Sequence, residues 1–201
     1  MTTKTFNDIF EQTIKEYHIK DDVNQEFKSE YKENSLEYLL NKKNWIDTVQ
    51  WHLEDIIREP SIKPEKALEI KRRIDKSNQD RTDLVELLDD YFFEQFNDVK
   101  PLPDSFINTE TPAWAVDRLS ILNLKIYHMR QEAERADADV AHREKCSFKL
   151  QVLLQQRKDL SLAIDQLFDM LKSGKAVIKT YKQMKMYNDP NLNPVLRKSQ
   201  K

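Results

Sequence analysis

The sequence predicts an all-α fold: a mostly antiparallel bundle of four long helices with short helices at the N- and C-terminal ends. Three observations carry that prediction. Gly174 is the only glycine in 201 residues, and left-handed turns, hairpin connections and phosphate-cradling loops nearly all rely on glycine. β-rich, Rossmann and Walker A architectures are therefore excluded. Apolar residues also recur at steps of three and four along every long segment. With 39% hydrophobic and 34% charged residues and a formal net charge of -2, the chain fits a single helical domain over 1–201 that can bury a core.

The first helix is expected from about Phe6 to Tyr17, with Thr5 and Asp8 as a capping pair and Phe6, Phe10, Ile14 and Tyr17 on one side. His18 to Glu33 lacks periodicity and reads as a connector. Asn34 and Glu37 signal the next helix, whose apolar side is Leu39, Ile46, Val49, Leu53 and Ile56, and Pro60 ends it. A second face of that helix carries Asn44, Trp51, Asp55 and Arg58. Pro64 suits the first turn of the third helix, which runs to Gln95, because its missing N–H would be unpaired there anyway. The two helices should form a hairpin that sets Asn44 and Trp45 level with Asn78 and Gln79.

Pro101, Pro103 and Pro112 mark a long connection. Thr111 and Pro112 then cap a helix with the stripe Ala115, Leu119, Leu122, Ile126, Met129 and Ala133. A turn is expected at Glu134 to Asp139, capped by Asp137, with one continuous helix as the alternative. The last long helix has the stripe Cys146, Leu150, Leu153, Arg157, Leu160, Ile164, Leu167 and Leu171. Gly174 suits a left-handed C-terminus. The basic segment 172–201, partly extended, holds eight Lys or Arg against Asp189 and includes an expected short helix from Lys175 to Tyr187.

Function hinges on the third helix. Its stripe reads Ala67, Ile70, Ile74, Asn78, Arg81, Val85, Leu88 and Phe92, so an amide and a guanidinium stand where hydrocarbon is expected. A desolvated polar group without a partner costs roughly 1 to 3 kcal/mol, so partners on neighbouring helices are required. Arg157 breaks the last helix's stripe in the same way, and the turn near Asp137 would bring it level with Val116 and Asp117. Asn78, Arg81, Asp117 and Arg157 are thus the candidate ligand-binding polar layer, with His52 or His128 available for proton transfer. The competing reading is a buried hydrogen-bonded layer that fixes helix register.

Other chemistries find no support. Cys146 is the single cysteine, so neither a disulfide nor a thiolate cluster is expected. No Glu has a His three residues on, which excludes a ferritin-like di-iron site. His18, His52, His128 and His142 lie on separate segments, so no metal and no cofactor are expected. Glu54, Asp55, Glu86 and Asp89 superficially resemble the acidic pairs of helical pyrophosphohydrolases, but the hairpin sets Glu86 about 17 residues, or ~25 Å, beyond the level of Glu54. Trp45, Trp51 and Trp114 read as core or rim packing. The basic tail reads as solvated or self-docked, and without clustered aromatics nucleic acid is not favoured. No apolar run reaches the ~18 residues of a membrane span and M-T-T-K-T-F-N-D is not a signal peptide, so a cytoplasmic protein is expected.

The segments W-H-L-E-D-I-I-R, K-R-R-I-D-K-S-N-Q-D-R-T-D, P-A-W-A-V-D-R-L-S-I-L-N-L-K-I-Y-H-M-R and Y-K-Q-M-K-M-Y-N-D-P-N-L-N-P-V-L resemble a bacterial family, domain of unknown function 4254. The resemblance implies helical cytoplasmic proteins associated with genes for cell-envelope sugar transfer. Trp51, Glu54, Arg58, Asp75, Asn78, Arg81, Asp83, Asp117 and Arg118 fall in these segments, but the resemblance carries no role to them and the polar layer rests on periodicity, with Trp51, Glu54, Arg58, Asp75 and His128 as secondary candidates. Two functions follow as expectations. One is a binding or interaction protein, an accessory factor in envelope sugar or lipid assembly, with a protein partner or a small anionic ligand. The other is an enzyme acting on a phosphorylated sugar or nucleotide held at the polar layer.

Overall fold

Proline and short polar caps punctuate this chain. The computed structural model describes residues 2–186 and 189–198. It contains α1 (Thr3–Tyr17), α2 (Leu36–Ile56), α3 (Pro64–Phe96), α4 (Pro112–Glu134), α5 (Val140–Lys172) and the short α6 (Pro194–Lys198). Two-residue strands β1 (Phe106–Ile107) and β2 (Ala176–Val177) pair in parallel. The protein is an all-α helical bundle. No helix among the described residues is long and apolar enough to cross a membrane.

Caps explain the helix starts. Ser35, the residue between the expected Asn34 and Glu37, takes the α2 cap by accepting from Tyr38 N at 3.2 Å, while Asn34 sits at φ +65. Thr111 Oγ1 accepts from Trp114 N at 3.3 Å, with Pro112 in the first turn as the sequence predicts. The chain does turn between α4 and α5, but Asp139 rather than Asp137 is the cap, accepting from His142 N at 2.7 Å. At the start of α1 the expected Thr5–Asp8 pair does not form. Thr3 instead reaches Asp165 on α5 through its backbone N at 2.9 Å and its hydroxyl at 2.7 Å, so a long-range partner replaces the local cap.

The core joins all five long helices through Phe6, Phe10, Leu40, Val85, Leu88, Phe92, Val116, Leu119, Ile164 and Phe168. Leu53, Ile70 and Ile74 form a smaller cluster near the α2–α3 turn. The hairpin register differs from expectation. Gln50, not Asn44 or Trp45, faces Asn78, with Gln50 Nε2 donating to Asn78 Oδ1 at 2.8 Å and Ser77 Oγ donating to Gln50 Oε1 at 3.1 Å. α2 ends at Ile56 and seven residues separate it from Pro64, so α3 pairs with α2 further along than a tight turn would set it, and Leu68 near its start is exposed.

Gly174 adopts φ +71, as a left-handed C-terminus requires, and a β-carbon there would stand 2.6 Å from Lys100 O. The tail that follows is not the expected helix. Phe106 N donates to Lys175 O at 3.0 Å and Ala176 is buried, so its backbone pairs with β1. Residues 178–186 then run without helix or strand over the acidic side of α3. Lys182 meets Asp90 at 3.0 Å, Gln183 N donates to Glu86 at 2.8 Å, and Lys185 donates to Thr82 Oγ1 at 2.6 Å. Tyr187, the last residue of that expected helix, lies outside the described residues.

Candidate functional site

Four charged side chains from three helices meet inside the bundle. Lys43 and Asp47 stand one turn apart on α2, Arg81 comes from α3 and Asp117 from α4. Lys43 and Asp47 have no exposed side-chain surface and Asp117 almost none, whereas Arg81 is 29% exposed. Arg81 grips Asp117 with both prongs, Nε to Oδ1 at 2.8 Å and Nη2 to Oδ2 at 2.5 Å. Lys43 bridges the two carboxylates, bonding Asp47 and reaching Asp117 Oδ1 at 2.9 Å. Ser120 Oγ donates to Asp47 Oδ2 at 2.6 Å and receives Asn44 Nδ2 at 2.9 Å. Two cations thus balance two carboxylates, the condition under which burying charge is tolerated.

The two acids are pushed apart in proton affinity. Full burial raises the Asp47 carboxyl above its ordinary range despite Lys43 beside it. Burial acts the same way on Asp117, but Lys43 and the Arg81 fork outweigh it and hold that carboxyl below the ordinary range. Burial opposes the charge of Arg81, and Asp117 more than compensates, so the guanidinium is held in its charged form. Asp47 Oδ1 accepts no hydrogen bond, although Arg81 Nε stands 3.5 Å away.

Arg81 separates two openings. On one side a cleft of about 270 Å³ is lined by Asp47, Gln50, Trp51, Glu54, Asp55, Arg58, Arg81 and Ile121. On the other, a wider groove of about 690 Å³ between α4 and α5 is lined by Arg118, Lys125, Gln156 and Asp159, with Asp117 buried at its base. Among the sequence candidates, Arg81, Trp51, Glu54 and Arg58 come together in the smaller cleft. Arg58 sits at its rim, paired with Glu54 at 2.6 Å and 67% exposed. Asn78 lies a turn away, bonded to Gln50. Asp75 is on the solvent side, paired with Lys71.

Arg157 does not join this group. It bonds Glu11 of α1 and Asn123 Oδ1 at 2.9 Å rather than standing level with Asp117. The α4–α5 turn lies between Glu134 and Val140 as expected, but Arg157 meets α4 at Asn123, six residues nearer that turn than Asp117.

A second constellation was not legible from spacing alone. His18 just beyond α1, His52 on α2 and His128 on α4 present ring nitrogens within 4.8 Å of one another. Tyr17 stacks on His52 with centroids 5.2 Å apart, and Trp51 stacks on His128 at 4.8 Å. Burial lowers the proton affinity of both His52 and His128, the latter to about 4. The sequence held one signal for this cluster: His18, His52 and His128 each follow an aromatic residue, in Y-H, W-H and Y-H, whereas His142 follows Ala141.

Fold and site together define a helical-bundle protein with a charge-balanced polar core opening onto a cleft. The chain matches, over residues 37–180, the family described as "Protein of unknown function (DUF4254)", and belongs to it. The match spans α2 to β2, including Lys43, Asp47, Arg81 and Asp117, and excludes α1. No curated protein and no solved structure matches the chain.

Proposed function

We propose that the protein is a cytoplasmic binding protein whose cleft beside Trp51 and Arg81 takes a small anionic sugar derivative, serving as an accessory factor in bacterial envelope sugar or lipid assembly. The observation that carries this reading is the cleft beside Trp51 and Arg81, behind which Asp47 Oδ1 is buried with no hydrogen bond and only the Arg81 charge 3.5 Å away. A buried acceptor without a donor costs roughly 1 to 3 kcal/mol, which a ligand hydroxyl would recover. Glu54 and Gln50 offer further partners for hydroxyls, the Trp51 indole offers an apolar surface, and Arg58 at the rim offers a cation. Arg81 is not the anion clamp, because Asp117 occupies its fork. The resemblance to proteins associated with envelope sugar transfer points the same way.

Thermal shift with free sugars, sugar phosphates and nucleoside diphosphate sugars tests the reading. A ligand at a hundred times its Kd stabilises by about 2.7 kcal/mol. Sugar phosphates should raise the Tm of the wild type, and Trp51→Ala and Arg58→Ala should weaken that shift. A flat panel, or a full shift in Trp51→Ala, overturns it.

One observation favours a second reading, an enzyme acting on a phosphorylated sugar or nucleotide. Burial pushes the Asp47 carboxyl up while Lys43 and Arg81 hold that of Asp117 down, and two acids with proton affinities pushed apart are the pattern an acid–base pair uses. Turnover of such a compound by the wild type but not by Asp47→Asn would establish it, and a Tm shift without turnover would reject it.

A further inference from the structure

We propose that His18, His52 and His128 form a binding site for a divalent transition-metal ion of the zinc class, with Asp21 as the fourth ligand. The three histidines are spread over more than a hundred residues of sequence, yet their ring nitrogens converge within 4.8 Å. In a tetrahedral site with Zn–N bonds near 2.0–2.1 Å, neighbouring nitrogens stand roughly 3.4 Å apart, so small rotations of the rings complete the geometry. His52 Nε2 and His18 Nε2 are already 3.1 Å apart. Asp21 Oδ1 stands 3.5 Å from His52 Nε2, on a backbone held at φ +50.

The outer partners set the tautomers. A carbonyl only accepts, so the 2.6 Å contact from His18 Nδ1 to Ile14 O makes Nδ1 the protonated nitrogen and leaves Nε2 a lone-pair acceptor, turned toward His52 Nε2. His128 Nδ1 likewise donates to Gln131 Oε1 at 3.2 Å. Its Nε2 is buried and has no hydrogen-bond partner. Metal-bound histidines characteristically donate their second nitrogen to a carbonyl or carboxylate in this way. A purely structural cluster would leave His128 Nε2 unsatisfied, whereas a metal ion satisfies it. Tyr17, Trp51 and Tyr127 surround the rings and restrict water.

Nitrogen ligands with one carboxylate suit zinc, cobalt, nickel or copper better than magnesium or calcium, which prefer oxygen. Three histidines and the half-exposed Asp21 complete the four-coordination of a closed site. The site is independent of the cleft reading, although Trp51 borders both.

The test uses the untagged full chain, stripped with chelator and titrated with Zn2+ and Co2+. One equivalent of zinc should remain after dialysis, Tm should rise with added Zn2+, and Co2+ should give the intense visible bands of a four-coordinate nitrogen-rich site. His128→Ala and His52→Ala should lose all three responses while His142→Ala keeps them, and Gln131→Leu should weaken binding roughly tenfold or more. If the histidine variants fail to fold, the wild-type cobalt spectrum decides, since bands of a hydrated octahedral ion overturn the site. Retention of zinc by His128→Ala, loss of it in His142→Ala, or less than one equivalent in the wild type also overturns it. Because no sugar or phosphate enters this experiment, its failure leaves the cleft reading untouched.

Discussion

Lys43 shows how a single side chain can hold the polar core together. It is fully buried and touches both carboxylates, so its removal strands Asp47 and Asp117 with only Arg81 between them. Breaking a buried charge network by deleting one partner costs about 3–5 kcal/mol, and Lys43→Ala should lower the unfolding free energy by that amount in urea titration. The pH dependence separates the two acids. Asp117 titrates below its unfolded value, so its stabilising effect is complete above about pH 4 and is lost as pH falls through the lowered folded value. Asp117→Asn should therefore be weaker than wild type at pH 7, with the gap closing in acid. Asp47 has the opposite sign. Its raised folded value makes the wild type lose stability as pH climbs from about 4 to that value. The stability of Asp47→Asn relative to wild type should then rise over that interval, and denaturation at pH 3, 5 and 7 reads both slopes.

At the scale of the element, the sequence was readable wherever a local rule decides. Ile70, Ile74, Val85, Leu88 and Phe92 are all buried on the predicted face of α3, because a helix that must cover a core leaves a 3.6-residue imprint. Pro64, Pro112 and Gly174 marked real boundaries for steric reasons of the same local kind. The buried polar side of α2 left no such imprint. Asn41, Lys43, Asn44, Asp47 and Thr48 lie inside, yet apolar periodicity passes over residues whose burial depends on a partner elsewhere. The tail failed for a related reason, since pairing with β1 rather than any local propensity keeps it extended. Gly174→Ala is the element-scale prediction. Left-handed backbone costs a residue with a β-carbon about 1–2 kcal/mol, and the backbone oxygen of Lys100 at 2.6 Å adds to that. Melting should show at least this loss. Asp139→Ala, which removes only a cap, should cost ~1 kcal/mol.

Across the whole molecule, the partners that define the site lie too far apart in sequence for periodicity to pair them. Arg81 and Asp117 are 36 residues apart, and Arg157 and Glu11 are 146 apart. Each arginine announced itself by interrupting an apolar stripe, but the carboxylate it meets is fixed only when the helices are packed. Arg157 consequently serves a different purpose from Arg81. It ties α1 to α5, and through Asn123, which donates to Asn7 Oδ1 at 2.7 Å, it links α1 to α4 as well. Thr3 bonding Asp165 and Asn7 Nδ2 bonding Ser161 extend the same seam. Arg157 and its partner Glu11 are partly exposed, so Arg157→Ala should cost only about 1 kcal/mol overall, the upper end for solvent-screened ion pairs. The effect should concentrate on α1, whose detachment carries less than the global unfolding free energy. Limited proteolysis and amide exchange should therefore show faster opening of residues 3–17 with little change in α3. Uniform acceleration along the chain would mean that α1 is not a separable unit and that this seam belongs to the cooperative core.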